Sequence, residues 1–170
     1  MNRNLVLIPI AFVVYLLLQI LLFRRVVLFD TAFCFVYLGF ILFLPMEITT
    51  VVLMLLAFTM GIAIDIFQNS PGLHAGASVL LAFVRNRWLL RLTPQGGYEA
   101  ASGTDAFSQP GLLWLLSYIS PLILLHHLLL FFSEAGGFHL VALTTGKVLA
   151  SVLFTVSLLF FQRILFYRRR

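Results

Sequence analysis

Between Leu5 and Phe23 the chain runs for 19 residues with Gln19 as its single polar interruption. A helix needs about 20 apolar residues to cross the hydrocarbon core of a bilayer. Inside lipid, every backbone N–H and C=O must find its partner within the protein, which leaves helices and closed barrels as the spanning structures. This run therefore restricts the fold more than any motif in the chain, and it reads as a membrane-crossing helix. With Met1-Asn2-Arg3-Asn4 ahead of it, the run looks at first like a secretory leader. It is too long for a leader's apolar core, and Phe23-Arg24-Arg25 stands where small residues would mark a cleavage site. The expectation is that it stays attached as the first span.

Further runs of the same kind follow. The predicted spans are 5–23, 31–44, 48–67, 73–92, 111–132 and 138–166, and the polar stretch 93–110 reads as a solvated loop. The second run is short; it stops at Pro45-Met46-Glu47 and has Val26–Phe29 available to complete a crossing. Gln68-Asn69-Ser70-Pro71-Gly72 supplies turn chemistry between the third and fourth. Composition agrees: 62% of residues are hydrophobic and 10% charged, against about 45–50% and about 25% in soluble domains. A soluble globule and a disordered chain are both excluded. The expected fold is all-α, a six-helix polytopic membrane bundle forming one integral domain over residues 1–170.

The net charge of +5 is a topology signal, because cytoplasmic loops collect Lys and Arg. With six spans, Arg3, Arg85, Arg87, Arg91, Arg163 and Arg168 to Arg170 fall on the side of the termini, eight residues against Arg24 and Arg25 on the other. Both termini are expected in the cytoplasm. The basic ends are candidates for contact with anionic lipid headgroups. No stretch interleaves basic and aromatic residues in a polar setting, so nucleic acid is not implied. The single cysteine, Cys34, excludes a disulfide framework.

The most informative stretch surrounds the turn between the third and fourth spans. Ala57, Gly61 and Asp65 recur every fourth residue and share one helix face. Ala75, Ser78 and Ala82 form a matching small face on the next helix, so the two are expected to pack as a tight antiparallel hairpin around Gly72. For Asp65 there are two readings. It is either a ligand for an ion or substrate, or a carboxylate bonded to the exposed N–H groups at the start of the fourth helix, which the short turn favours. On the second reading Asp65→Asn keeps most of the function, since an amide oxygen still accepts hydrogen bonds. His74, His126, His127 and His139 bring a metal to mind, but adjacent His126 and His127 point in different directions, unlike helical zinc ligands at i and i+4. No metal, cofactor or catalytic residue is assigned: there is no Gly-x-Ser-x-Gly, HExxH, paired carboxylate or phosphate loop.

Leu16-Leu17-Leu18-Gln19, Leu44-Pro45, Gly61-Ile-Ala-Ile-Asp65 and Gly72-Leu73, in this order over nearly the whole chain, resemble the MreD family of rod shape-determining membrane proteins. His74-Ala75-Gly76-Ala77-Ser78, Arg91-Leu92, Gly97-Tyr98-Glu99 and His126-His127 are similar to a variant of that family with an enlarged cytoplasmic loop. The resemblance implies a six-helix protein of the bacterial cytoplasmic (inner) membrane without enzymatic activity. It also implies a partner, MreC, through which MreB filaments are coupled to the glycosyltransferase and transpeptidase of peptidoglycan synthesis. The family is similar in architecture to the substrate-binding subunits of energy-coupling-factor transporters, so the alternative is a small-molecule (vitamin-like) binding membrane subunit.

Overall fold

The computed structural model describes residues 3–93, 111–138 and 140–167; the 93–110 loop beyond Thr93, His139 and the terminal arginines lie outside the described residues. The described residues form six helices: α1 (Arg3–Leu17), α2 (Leu38–Phe43), α3 (Thr50–Gln68), α4 (Leu73–Arg91), α5 (Leu112–Glu134) and α6 (Val141–Tyr167). Four helical stretches are long and apolar enough to cross a membrane: Val6–Arg25, Thr50–Gln68, Leu112–Glu134 and Val141–Leu165. The chain is thus a helical membrane protein. The α4 helix equals α3 in length at 19 residues, about 28 Å at 1.5 Å per residue, but three arginines and Asn86 lower its hydropathy.

The second predicted span departs from expectation. Of 31–44 only Leu38–Phe43 is helical, and the stretch before it is extended. Val27–Leu28 (β1) pairs antiparallel with Ala32–Phe33 (β2), Leu28 facing Ala32, and Phe29 and Asp30 turn between them with positive φ. The physical reason lies in burial. Ala32, Cys34 through Leu42 and Leu44 are all buried, and Tyr37, Leu38, Ile41 and Leu42 are wholly inaccessible. This segment runs through the middle of the bundle. Non-helical backbone is tolerated at membrane depth only where protein surrounds it, and an element that is apolar on every side belongs in a core. Its shortness in sequence therefore marks the central element rather than a truncated outer one.

Gly39 lets α2 lie against its neighbours: a Cβ there would stand 2.6 Å from a Tyr15 ring carbon and 2.9 Å from a Leu159 methyl. The α3–α4 hairpin makes the most extensive helix contact in the molecule. Its small faces meet as the spacing suggests, with Ala57, Ser78 and Ala82 wholly inaccessible and Ala75 nearly so. At Gly61 a Cβ would stand 2.4 Å from the Ala75 Cα, so backbone rests on backbone.

Candidate functional site

An extended segment inside a membrane protein needs substitutes for the hydrogen bonds a helix would supply. Two helices provide them. On one side α1 gives way at Leu18–Leu22 to a wider π turn that carries Gln19 inward. The Gln19 amide donates to the Cys34 carbonyl at 3.1 Å, and its oxygen faces the Tyr37 N–H at 3.4 Å. On the other side Ser151 and Thr155, one turn apart on α6, accept from the N–H groups of Phe33 (2.9 Å) and Phe35 (3.2 Å). Sequence reasoning picked out Gln19 but missed Ser151 and Thr155; their i, i+4 spacing, which puts two hydroxyls on one face of the helix, was the available signal.

The far end of this segment is held by Arg85, which is buried without any exposure. Its Nε donates to the Tyr118 hydroxyl at 2.8 Å, Nη2 donates to the carbonyls of Leu42 (3.3 Å) and Leu44, and Nη1 donates to the Asn86 side-chain oxygen at 3.2 Å. Tyr118 in turn donates to the Leu42 carbonyl at 2.7 Å. These carbonyls close α2, whose last turn has no intrahelical donors for them and carries the negative end of the helix dipole. A guanidinium fork answers both needs. Arg85 is therefore no lipid-headgroup contact, and the expectation of one is corrected for this residue. Beside it, the Asn86 amide bridges to the Ile48 carbonyl and Thr50, tying down the start of α3.

Asp65 is committed to the hairpin. One carboxylate oxygen accepts from the Ser70 hydroxyl at 2.9 Å and the His74 N–H at 3.0 Å; the other accepts from the Ala75 N–H at 3.0 Å. The turn that brings these donors back uses positive φ at Asn69 and Gly72. Both oxygens are engaged, which revises the expectation for Asp65→Asn: an amide can serve one side only.

The histidines gather where α4, α5 and the central segment meet. The Tyr37 hydroxyl lies 3.0 Å from His74 Nδ1 and 2.8 Å from His126 Nε2. A phenol has one proton to give, so it donates to one imidazole and accepts an N–H from the other. His127 donates from Nδ1 to the Ile123 carbonyl at 2.8 Å, which leaves its Nε2 as an acceptor 3.4 Å from Thr155. The Phe35 ring packs among all three imidazoles at centroid distances of 5.1–5.9 Å. All three are core residues: His74 and His126 share the Tyr37 hydroxyl, and His127 is held by the Ile123 carbonyl and Thr155. Among the described residues no group of three or more His, Cys, Asp or Glu side chains is placed to hold a metal ion. His126 Nδ1 and the Ser78 hydroxyl are buried without a hydrogen-bond partner among the described residues.

Above this cluster, at the end of the bundle that carries the α3–α4 turn, a cavity of about 270 Å³ opens. Phe33, Phe35 and Phe131 form apolar walls, with Gln68, Asn69, Ser70 and His74 along another side. Lys147 and Glu134, which sequence reasoning did not select, close it with a 2.7 Å ion pair. The Lys147 ammonium also sits over the faces of Phe131 (4.4 Å) and Phe33 (4.7 Å).

In comparisons with known proteins, no family model, no curated sequence and no solved structure matches this chain.

Proposed function

We propose that the chain is a non-catalytic adaptor of the MreD kind, crossing the bacterial inner membrane six times with both termini in the cytoplasm. In this reading α1, the Val26–Phe43 segment and α3 to α6 are the six crossings. The protein binds MreC and so helps couple MreB filaments to peptidoglycan synthesis. What supports it first is the sequence resemblance, whose anchors coincide with structural pivots: Gln19 holds the central segment, Leu44 receives Arg85, and Gly61, Asp65 and Gly72 build the hairpin.

The observation that carries the adaptor role is how the bundle divides its surfaces. Its buried polar side chains are largely engaged in holding the central segment and the hairpin. The small-residue stripe of α3 is used up against α4 and is not offered to a partner. The α1 helix, by contrast, stands at the periphery with Ile10, Val14 and Leu17 exposed, spaced four and three residues apart, and Leu21 is exposed in the π turn that follows. Such a stripe suits side-by-side packing with another helix, which van der Waals contact drives in lipid.

The test is affinity purification from native membranes, with the natural chain and with Ile10→Asn/Leu17→Asn. MreC and wall-synthesis enzymes are expected with the first and lost with the second, while the variant stays monodisperse. Depletion in a rod-shaped cell is expected to round it. Co-purification of an ATPase module with a vitamin instead identifies a transporter subunit and overturns the reading. Rounded cells with MreC still bound refute the adaptor mechanism.

A further inference from the structure

The polar cluster around Tyr37 has no part in the adaptor role or in the hairpin cap. The Tyr37 hydroxyl stands between His74 Nδ1 at 3.0 Å and His126 Nε2 at 2.8 Å. His126 is wholly inaccessible, and its Nδ1 is buried with no hydrogen-bond partner among the described residues. His74 lines the cavity at the α3–α4 turn, and its Nε2 makes no hydrogen bond among the described residues either. One end of this triad therefore meets the cavity, and the other ends in the core.

The protons of the neutral triad do not fill it. Two neutral imidazoles carry four nitrogens and two N–H groups. One N–H donates to Tyr37 and one bare nitrogen accepts from it, so of the two outer nitrogens one carries hydrogen and one is bare. The bare one is His126 Nδ1 or His74 Nε2, according to the direction of the two bonds. When it is His74 Nε2, a proton arriving from the cavity binds there. The His74 Nδ1 proton then passes to the Tyr37 oxygen as the Tyr37 proton passes to His126 Nε2. Both bonds to Tyr37 persist with their direction reversed, Tyr37 is again a neutral phenol, and both outer nitrogens carry hydrogen. A second proton has no such place: both imidazoles would donate to one oxygen, and the Tyr37 proton would be left buried without an acceptor. Ionisable side chains at membrane depth that are linked in this way are the material of proton relays.

We infer that His74, Tyr37 and His126 form a binding site for a single proton, loaded from the cavity through His74 and shared across the Tyr37 hydroxyl with His126. No acceptor lies beyond His126 Nδ1 among the described residues, so the triad holds the proton rather than passing it on. The charged groups that face it are the Asp65 carboxylate of α3, which accepts from the His74 N–H, and the Glu134–Lys147 pair of α5 and α6 at the cavity. Its other titratable neighbours are His127, whose ring lies 5.4 Å from that of His126, and the buried thiol of Cys34 on the central segment.

Nitrogen-15 NMR of the histidine rings tests this on the full chain in nanodiscs, from about pH 8 to about pH 4, the range in which imidazoles of folded proteins titrate. His74 and His126 are expected to gain charge in one step with a shared midpoint, their charges summing to one proton. Tyr37→Phe, whose ring fills the same space, is expected to take His126 out of that step while His74 still titrates. If this variant fails to fold, the shared midpoint and the single proton of the natural chain still decide. Glu134→Gln removes the exposed carboxyl of the cavity and is expected to leave the step in place. Each of five results overturns the inference: no charge change at either histidine, separate midpoints, two protons on the pair, a step unchanged in Tyr37→Phe, or a step lost in folded Glu134→Gln.

Discussion

Gly61→Ala adds one methyl group to the point where α3 and α4 touch. Its Cβ would meet the Ala75 Cα at 2.4 Å, the Ala75 nitrogen at 2.7 Å and the His74 carbonyl oxygen at 2.8 Å. Carbon atoms rest about 3.5–4.0 Å apart, so the helices have to part by about 1 Å. Overpacking of this kind costs about 1–3 kcal/mol. The same parting stretches the 3.0 Å bonds from Asp65 to the N–H groups of His74 and Ala75, and hydrogen bonds to a charged group contribute about 1.5–3 kcal/mol each. With partial loss of both, the expected destabilisation is about 3 kcal/mol. At about 2–4 °C per kcal/mol for a chain of this size, the melting midpoint of the detergent-solubilised protein falls by roughly 6–12 °C. Gly76→Ala is the control on the facing helix. Nothing lies within 4 Å of a Cβ there, and alanine's helix propensity makes it neutral or stabilising by up to about 1 kcal/mol. A second variant isolates the cause. Because the clash is with backbone, Gly61→Ala combined with Ala75→Gly is not rescued. A Gly61→Ala protein that melts with the natural chain, or rescue by Ala75→Gly, refutes the close-packed hairpin.

Asp65→Asn is expected to lose one side of the cap and about 1–3 kcal/mol, read as a lower melting midpoint, whereas Asp65→Glu displaces both oxygens and costs at least as much. Tyr118→Phe removes the acceptor of Arg85 Nε and the donor to the Leu42 carbonyl, an expected loss of about 2–3 kcal/mol; a melt unchanged within error refutes the α2 cap. Thr155→Val leaves the Phe35 N–H buried without its acceptor, at about 1–3 kcal/mol, and hydrogen exchange at Phe35 is expected to accelerate relative to Phe40. For topology, cysteines introduced at Ser102 and Ser133 in a Cys34→Ser background are expected to react with impermeant reagent from opposite sides of the membrane; labelling of both from one side refutes the six-crossing arrangement.

The parts of the fold that repeat a local rule were readable in advance. Each long apolar run became a helix with ends shifted by a few residues, and the alternation of small residues around the 69–72 turn located the hairpin and the role of Asp65. The central segment was not readable in the same way. Its apolar run is as consistent with a short outer helix as with a buried extended strand, because periodicity says nothing when every face is apolar. What distinguishes the two is the set of partners that an extended backbone requires, and these lie far away in sequence: Gln19 is 15 residues before Cys34, Ser151 is 118 after Phe33 and Thr155 is 120 after Phe35. Only the tertiary arrangement joins them. The histidines were legible as residues of interest but not as a cluster, since Tyr37, the group that links His74 to His126, sits in that same segment.

Arg85 shows how one residue can answer two questions and be counted for the wrong one. Read as a loop charge, it helps place α4's end in the cytoplasm; read in the fold, it caps α2. For the proposed orientation of the termini the count changes by one. Without Arg85, seven basic residues remain on the side proposed as cytoplasmic against two, Arg24 and Arg25, on the other, and it is the Lys/Arg bias of the loops that sets orientation. The energetic consequence is larger. A buried guanidinium with no carboxylate among the described residues within ion-pair distance is stable only while Leu42, Leu44, Tyr118 and the Asn86 amide all present oxygen to it. The end of the central segment and the cation that holds it therefore stabilise each other, and neither has an adequate partner without the other. Two extended N–H groups on Ser151 and Thr155, and one peptide carbonyl on Gln19, fix the segment's other half in the same reciprocal way. The central segment is thus pinned at both ends by side chains that reach it from the π turn after α1 and from α4, α5 and α6, so its extended backbone is satisfied by distant parts of the chain.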